Sequence, residues 1–126
     1  MSMSISISRF RELKAWQLGM DLAERVYLLT DSFPKSETYG LTSQIRRSAV
    51  SIPSNLSEGC GRDSTKEFLH FIAIAVGSIC ELETQLLLSQ RLKYINMSDL
   101  ETVLGLLTET RRTIRGLQKA LKAKIE

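Results

Sequence analysis

Few residues in this chain have the types and spacing to do chemistry. Glu67 and His70 stand three positions apart, the Glu-x-x-His element with which di-iron carboxylate bundles hold metal. Such a centre needs a second element of the same kind and two further glutamates, and the sequence contains 1 histidine. No metal site within one chain is therefore expected, and no cofactor. Gly59-Cys60-Gly61-Arg62 could cradle a phosphate ahead of a helix N-terminus. It lacks the P-loop lysine and a preceding strand, so a helix-stop loop is the simpler reading. Cys60 has no histidine base close in sequence, and nothing nearby would activate its thiolate. Glu81 and Glu83 sit in an otherwise apolar stretch, where acids need partners. Arg46 and Arg47 are the obvious ones, as a structural ion-pair network and not a catalytic carboxylate pair. No catalytic residue is assigned, and the chain reads as a non-enzyme.

Cations carry a second possibility. Between Thr110 and Ile125 there are six basic residues and no acidic one. Arg112, Arg115, Lys119 and Lys122 recur at spacings of three and four, which places them on one side of a helix. The plain reading is a solvated face, favoured near a helix C-terminus by the macrodipole. The functional reading is contact with the phosphate backbone of RNA or DNA, strong at low salt and weaker as salt rises. No aromatic residue is interleaved, so base stacking and sequence readout by this stripe are not indicated. The net charge of +3 is too mild to decide between the two.

The elements that must position these groups are helical. Apolar residues recur at helical spacing almost throughout, and only 2 prolines interrupt them. Helices are predicted at about 10–33, 39–58, 64–92 and 98–122. The first turns Leu13, Trp16, Met20, Ala23 and Tyr27 inward; the second, Leu41, Ile45, Ala49, Ile52 and Leu56; the fourth, Leu100, Val103, Leu107, Thr110, Ile114, Leu117 and Leu121. Pro53 removes a backbone donor from the second helix, leaves the Ala49 carbonyl without its usual partner and predicts a kink. Gly59 and Gly61 supply backbone freedom for its stop. Ser64-Thr65-Lys66-Glu67 and Ser98-Asp99-Leu100-Glu101 both fit the capping box that opens a helix. Short connections force neighbours to run antiparallel. The expected fold is a single all-α domain over 1–126, an antiparallel up-down-up-down four-helix bundle.

A chain of 126 residues with 43% hydrophobic and 25% charged residues can build such a core without disulfide or metal, which also argues against disorder. Met1 to Ser8 has no apolar core of a signal peptide. Cys60 and Cys80 are too few for a disulfide framework, so a cytoplasmic protein with reduced thiols is expected. The longest apolar run, Phe68 to Cys80, has 13 residues, short of the roughly 18 to 20 that a membrane span needs.

The third helix has more apolar surface than a lone bundle uses. Phe68, Ile72, Ala75, Ile79, Leu82 and Leu86 make one complete packing seam. Leu69, Ala73, Val76, Cys80 and Leu87 form a second stripe, and Phe71, Ile74 and Leu88 add to a third, leaving only His70, Gly77 and Thr84 as a narrow polar or small column. A helix apolar nearly all round is buried nearly all round. A second copy of the chain is the simplest cover, with Leu69, Ala73, Val76, Gly77 and Cys80 at the contact. Gly77-Ser78 in mid-helix suits close backbone approach, since glycine otherwise costs up to about 1 kcal/mol against alanine there.

Two segments go beyond pattern. One is Tyr39-Gly-Leu-Thr-Ser-Gln-Ile-Arg-Arg-Ser-Ala-Val-Ser-Ile-Pro-Ser-Asn-Leu-Ser-Glu-Gly-Cys-Gly-Arg62, the other Phe68-Leu-His-Phe-Ile-Ala-Ile-Ala-Val-Gly-Ser-Ile-Cys-Glu-Leu-Glu-Thr-Gln-Leu86. With Leu13-Lys-Ala-Trp16, Tyr27 and Phe33-Pro34 they resemble the bacterial 23S rRNA intervening-sequence protein family, whose members are also described as four helix bundle proteins. The resemblance extends over approximately residues 9 to 120. On its motif the chain keeps Gln44, Arg46, Arg47, Ser51, Pro53, Asn55, Glu58, Gly59, Gly61 and Arg62, then Gly77, Ser78, Glu81, Glu83 and Thr84. What the resemblance implies is a ring of five subunits. It also implies a fold similar to the accessory proteins of diversity-generating retroelements, whose basic pentamer contacts a reverse transcriptase and nucleic acid. The partners implied are thus further copies of itself, RNA or DNA, and a reverse transcriptase or another protein; the family has no catalytic residues to carry over. A protein-interaction scaffold that binds no nucleic acid is the alternative.

Overall fold

Four amphipathic segments joined by short polar links can hide their apolar stripes only against one another. In the computed structural model, which describes residues 9–125, they form α1 (Lys14–Thr30), α2 (Leu41–Cys60), α3 (Thr65–Arg91) and α4 (Met97–Ile125). A 3-10 turn at Arg9–Glu12 precedes α1, and another at Lys35–Glu37 leads into α2. Among the described residues there is no strand. Each helix packs on its sequence neighbours, and α1 closes the square against α4. The order is antiparallel: Arg46, early in α2, meets Thr30 at the end of α1, whereas Gly59, late in α2, meets Phe68 and Phe71 at the start of α3.

The core lies along the axis of this square. Ile45, Ala49, Ile52 and Leu56 of α2, Ile72, Ala75, Ile79, Leu82 and Leu86 of α3, and Leu107 and Ile114 of α4 are fully buried, as their spacing predicts. The inner face of α1 differs from the expectation. Ala15, Leu18, Leu22, Ala23 and Val26 point inward, while Met20 and Tyr27 are nearly half exposed and Trp16 only packs against the edge. Two apolar stripes overlap on this helix, and the smaller, more compact one fills the interior. The larger side chains take the rim, where a sulfur, an indole N–H or a phenol can stay near water.

Helix starts and stops also refine the reading. Ser64 caps α3, its Oγ accepting from the Glu67 N–H at 3.0 Å. Glu67 answers through the Ser64 hydroxyl at 3.3 Å and not through the serine amide. The start of α4 lies ahead of the expected box: Asn96 Oδ1 accepts from the Asp99 N–H at 2.8 Å, so Asn96 and not Ser98 is the cap. Asn96-x-x-Asp99 meets the same geometric need as a serine box, because any short side-chain acceptor suits the position. α2 runs unbroken through the buried Pro53. At its end neither Gly59 nor Gly61 has a positive φ; among the described residues the left-handed one is Lys93, at φ 66°, after α3. Gly59 serves closeness instead of freedom, since a Cβ there would lie 2.8 Å from the Phe71 Cβ.

By length and composition α3 could cross a membrane, although the run Phe68–Cys80 alone falls short. Core helices of bundles pass the same test, and here the seam from Ile72 to Leu86 is buried against the other helices.

Candidate functional site

The largest departure from an ordinary bundle surface is the outward side of α3. Opposite its buried seam run Leu69, Ala73, Val76, Gly77, Cys80, Thr84, Leu87 and Leu88, set by the helical period. Ala73, Gly77, Cys80 and Thr84 are exposed, and Leu87 and Leu88 keep 43% and 44% of their surface in water. Ile74, on the flank, keeps 40%. Lys66 and Arg91 bound the stripe at its ends, and the exposed Glu81, one turn on from Gly77, is the one charge within it. A Cβ built on Gly77 meets nothing within 4 Å, so its backbone is bare at the surface. All five interface candidates, Leu69, Ala73, Val76, Gly77 and Cys80, therefore share one face: Leu69 and Val76 at its edge, half-buried against the core, the other three open.

Beside this stripe the α2–α3 contact is polar. Ser51 and Ser78 share a hydrogen bond of 2.8 Å across the two helices, and Asn55 Nδ2 donates to the Ser51 carbonyl at 2.8 Å. The expected pairing of Arg46 and Arg47 with Glu81 and Glu83 does not form. Glu83 pairs with Arg111 of α4. Arg46 turns the other way, onto α1: its Nε donates to Thr30 Oγ1 at 2.9 Å, and its guanidinium lies 4.5 Å from the centre of the Tyr27 ring. Glu81 is exposed, and together with Arg47 it borders a small polar cleft without forming an ion pair. Helix periodicity places an acid on a side of its own helix but not opposite a particular neighbour, which is why Arg111 escaped notice.

Arg112, Arg115, Lys119 and Lys122 are all exposed on the outer side of α4. Among the described residues none has a carboxylate within ion-pair distance; Arg115 instead donates to Gln118 Oε1 at 2.8 Å. The stripe is an unneutralised row.

The groups weighed for chemistry stand apart. Among the described residues no three histidine, cysteine, aspartate or glutamate side chains converge as a metal set would. His70 is exposed and packs edge-on to Phe71, while Glu67 is engaged at the α3 cap. Burial pushes the Cys60 thiol above its ordinary pKa, and the Arg9 charge opposes this only in part; a thiol so placed is a poor nucleophile. Missed by sequence reasoning was a clamp between chain segments far apart. Glu37 accepts from the Leu41 N–H at 3.0 Å and from the Tyr94 hydroxyl at 2.9 Å, and both bonds hold its carboxyl below the ordinary pKa. Exposed carboxylates carry no sequence mark of such a partner.

Comparison with known proteins adds three findings. A family model described as 23S rRNA-intervening sequence protein matches residues 11–116. A crystal structure of a protein of unknown function from the S23 ribosomal protein family of Bacteroides thetaiotaomicron superposes with a TM-score of 0.76 at 24% identity, covering 83% of this chain and 95% of that one. It has the same fold. No curated protein matches the sequence.

Proposed function

We propose, from the premise that this chain belongs to the 23S rRNA-intervening sequence protein family, that it works without catalysis as a self-assembling helical bundle, its copies meeting through the outer face of α3. The observation that carries this reading is the outer face of α3 from Leu69 to Leu88, built of apolar and small residues with Glu81 as its one exposed charge, open to water on a helix whose opposite side is already buried. Exposed apolar surface gathered on one face favours association, and small residues in its centre allow close backbone approach. A ring of five is the form the family resemblance suggests. Cys80, exposed on that face, is a built-in reporter. In a Cys60→Ser background its alkylation by iodoacetamide slows as protein concentration rises from nanomolar to micromolar, because occupancy of the contact follows mass action. A rate independent of concentration over that range defeats the assembly.

A second activity, contact with nucleic-acid phosphate, is favoured by one observation: the exposed row Arg112, Arg115, Lys119 and Lys122 lacks carboxylate partners among the described residues. Repeated around an assembly, four such cations per chain make a field that attracts polyanions. Affinity for single-stranded RNA then falls with salt at a log–log slope of about −3 per chain engaged. Changing all four to glutamine flattens that slope, with helix content unchanged. Fluorescence anisotropy across a salt series reads both; absent binding, or a slope untouched by the change, leaves a scaffold whose cations only keep it soluble.

A further inference from the structure

We propose that the pocket where α1 ends and α2 begins binds a nucleotide, with its phosphate on Arg46, Arg47 and the first turn of α2 and its base against Tyr39. The site lies away from the α4 cations and stands independently of self-assembly.

The pocket measures about 520 Å³, within the usual range for small-ligand sites of roughly 300–1,000 Å³. Lys35, Arg46 and Arg47 line it against a single carboxylate, Asp31, so its charge favours an anion. Arg46 is the best-organised of the three. Its Nε donates to Thr30 Oγ1, its Nη2 donates to the Tyr27 carbonyl at 3.3 Å, and its plane rests on the Tyr27 ring. Thr30 is held in turn, its hydroxyl donating to the Val26 carbonyl at 2.8 Å. Among the described residues neither Arg46 nor Arg47 has a carboxylate within ion-pair distance. A fixed guanidinium with spare donors and no acid beside it is suited to a phosphate fork.

Two observations on α2 point to the same ligand. Its N-terminal turn faces this pocket through Thr42 and Ser43; the Glu37 carboxylate takes the Leu41 N–H, which leaves the Thr42 and Ser43 N–H groups without an intrahelical acceptor, and the Gly40 cap supplies no side-chain bond. Thr42 is 8% exposed, and its buried Oγ1 has no hydrogen-bond partner among the described residues. A buried hydroxyl left unpaired is costly and calls for an explanation; an anion beside the turn supplies one once the Thr42 side chain turns toward the pocket, from which its oxygen is otherwise closed off.

The ring specificity comes from Tyr39. It stands at the rim with 97% of its surface in water, and its loop is braced on both sides by the Glu37 carboxylate, through the Leu41 N–H and the Tyr94 hydroxyl. A fully exposed aromatic on a braced loop, next to two arginines, offers a stacking plane for a base.

The test is calorimetric titration of the full chain with adenosine monophosphate, adenosine, inorganic phosphate and a short single-stranded oligonucleotide. Arg47→Gln and Tyr39→Ala are the informative variants, because both side chains are exposed and their loss leaves the core intact; thermal melting checks this. Adenosine monophosphate is expected to bind, with each variant weakening it about tenfold, the scale of one charged hydrogen bond or one stacked base. Adenosine and phosphate alone bind more weakly than the intact nucleotide. If the oligonucleotide binds with the same dependence on Tyr39 and Arg47 and the mononucleotide does not, the nucleotide belongs to a strand and the site stands. No binding of either at millimolar concentration overturns it. So does binding that both variants leave unchanged, or phosphate binding as tightly as the nucleotide with no effect of Tyr39→Ala.

Discussion

Gly59→Ala destabilises the bundle by about 1–3 kcal/mol, the scale of overpacking in a full interior, although alanine is the better helix former. The added Cβ would lie 2.8 Å from the Phe71 Cβ, 2.9 Å from Phe68 Cδ1 and 3.3 Å from the Phe68 carbonyl oxygen. The first and last of these are backbone or next to it and cannot swing aside, so α2 and α3 must separate where they cross. Gly105→Ala and Gly116→Ala are the controls. Both positions are helical with open space around the new atom, and each should gain up to about 1 kcal/mol from propensity alone. Opposite signs in chemical denaturation show that space at Gly59, and not backbone freedom, is what the glycine provides. A stabilising Gly59→Ala would remove that account of the α2–α3 crossing.

Gly77→Glu breaks the assembly while leaving each bundle folded. Nothing within 4 Å opposes a side chain at Gly77, and glutamate is a better helix former than glycine, so the isolated bundle should melt no lower than the native one. In the assembly, however, the carboxylate would be pressed into the small-residue centre of the face between Ala73 and Cys80, one turn from the Glu81 carboxylate, with no cation of its own helix beside it. Burying an unpaired charge costs about 3 kcal/mol or more, which is on the order of a hundredfold in association. Light scattering and circular dichroism on the same sample separate the effects. Unchanged mass with unchanged helix content would place the contact elsewhere.

Much of this was legible in the residues. α2 and α4 carry one apolar stripe each, and their buried sides follow it; α3 carries more than one, which is what marked its outer face. α1 misled because its stripes overlap, and hydrophobicity alone does not say whether Trp16 and Tyr27 or Leu18 and Val26 go inside; packing decides that by volume. The cap at Asn96 was obscured by Ser98, two positions on, since both offer a short acceptor. Pairings between helices were the least readable. Glu83 with Arg111 and Arg46 with Thr30 depend on how each helix is rotated against its neighbour, which periodicity does not state. The pocket at the head of α2 left no motif because it is assembled from the end of one helix, a loop and the start of the next.

An interface between copies of this chain on the outer face of α3 sets the mass of the particle in solution. Sedimentation equilibrium of the native protein at micromolar concentration tests it most directly. A single species is expected, with a mass that is a multiple of the 14.2 kDa chain and returns to one chain in Gly77→Glu; a native protein that sediments as 14.2 kDa throughout rules the interface out.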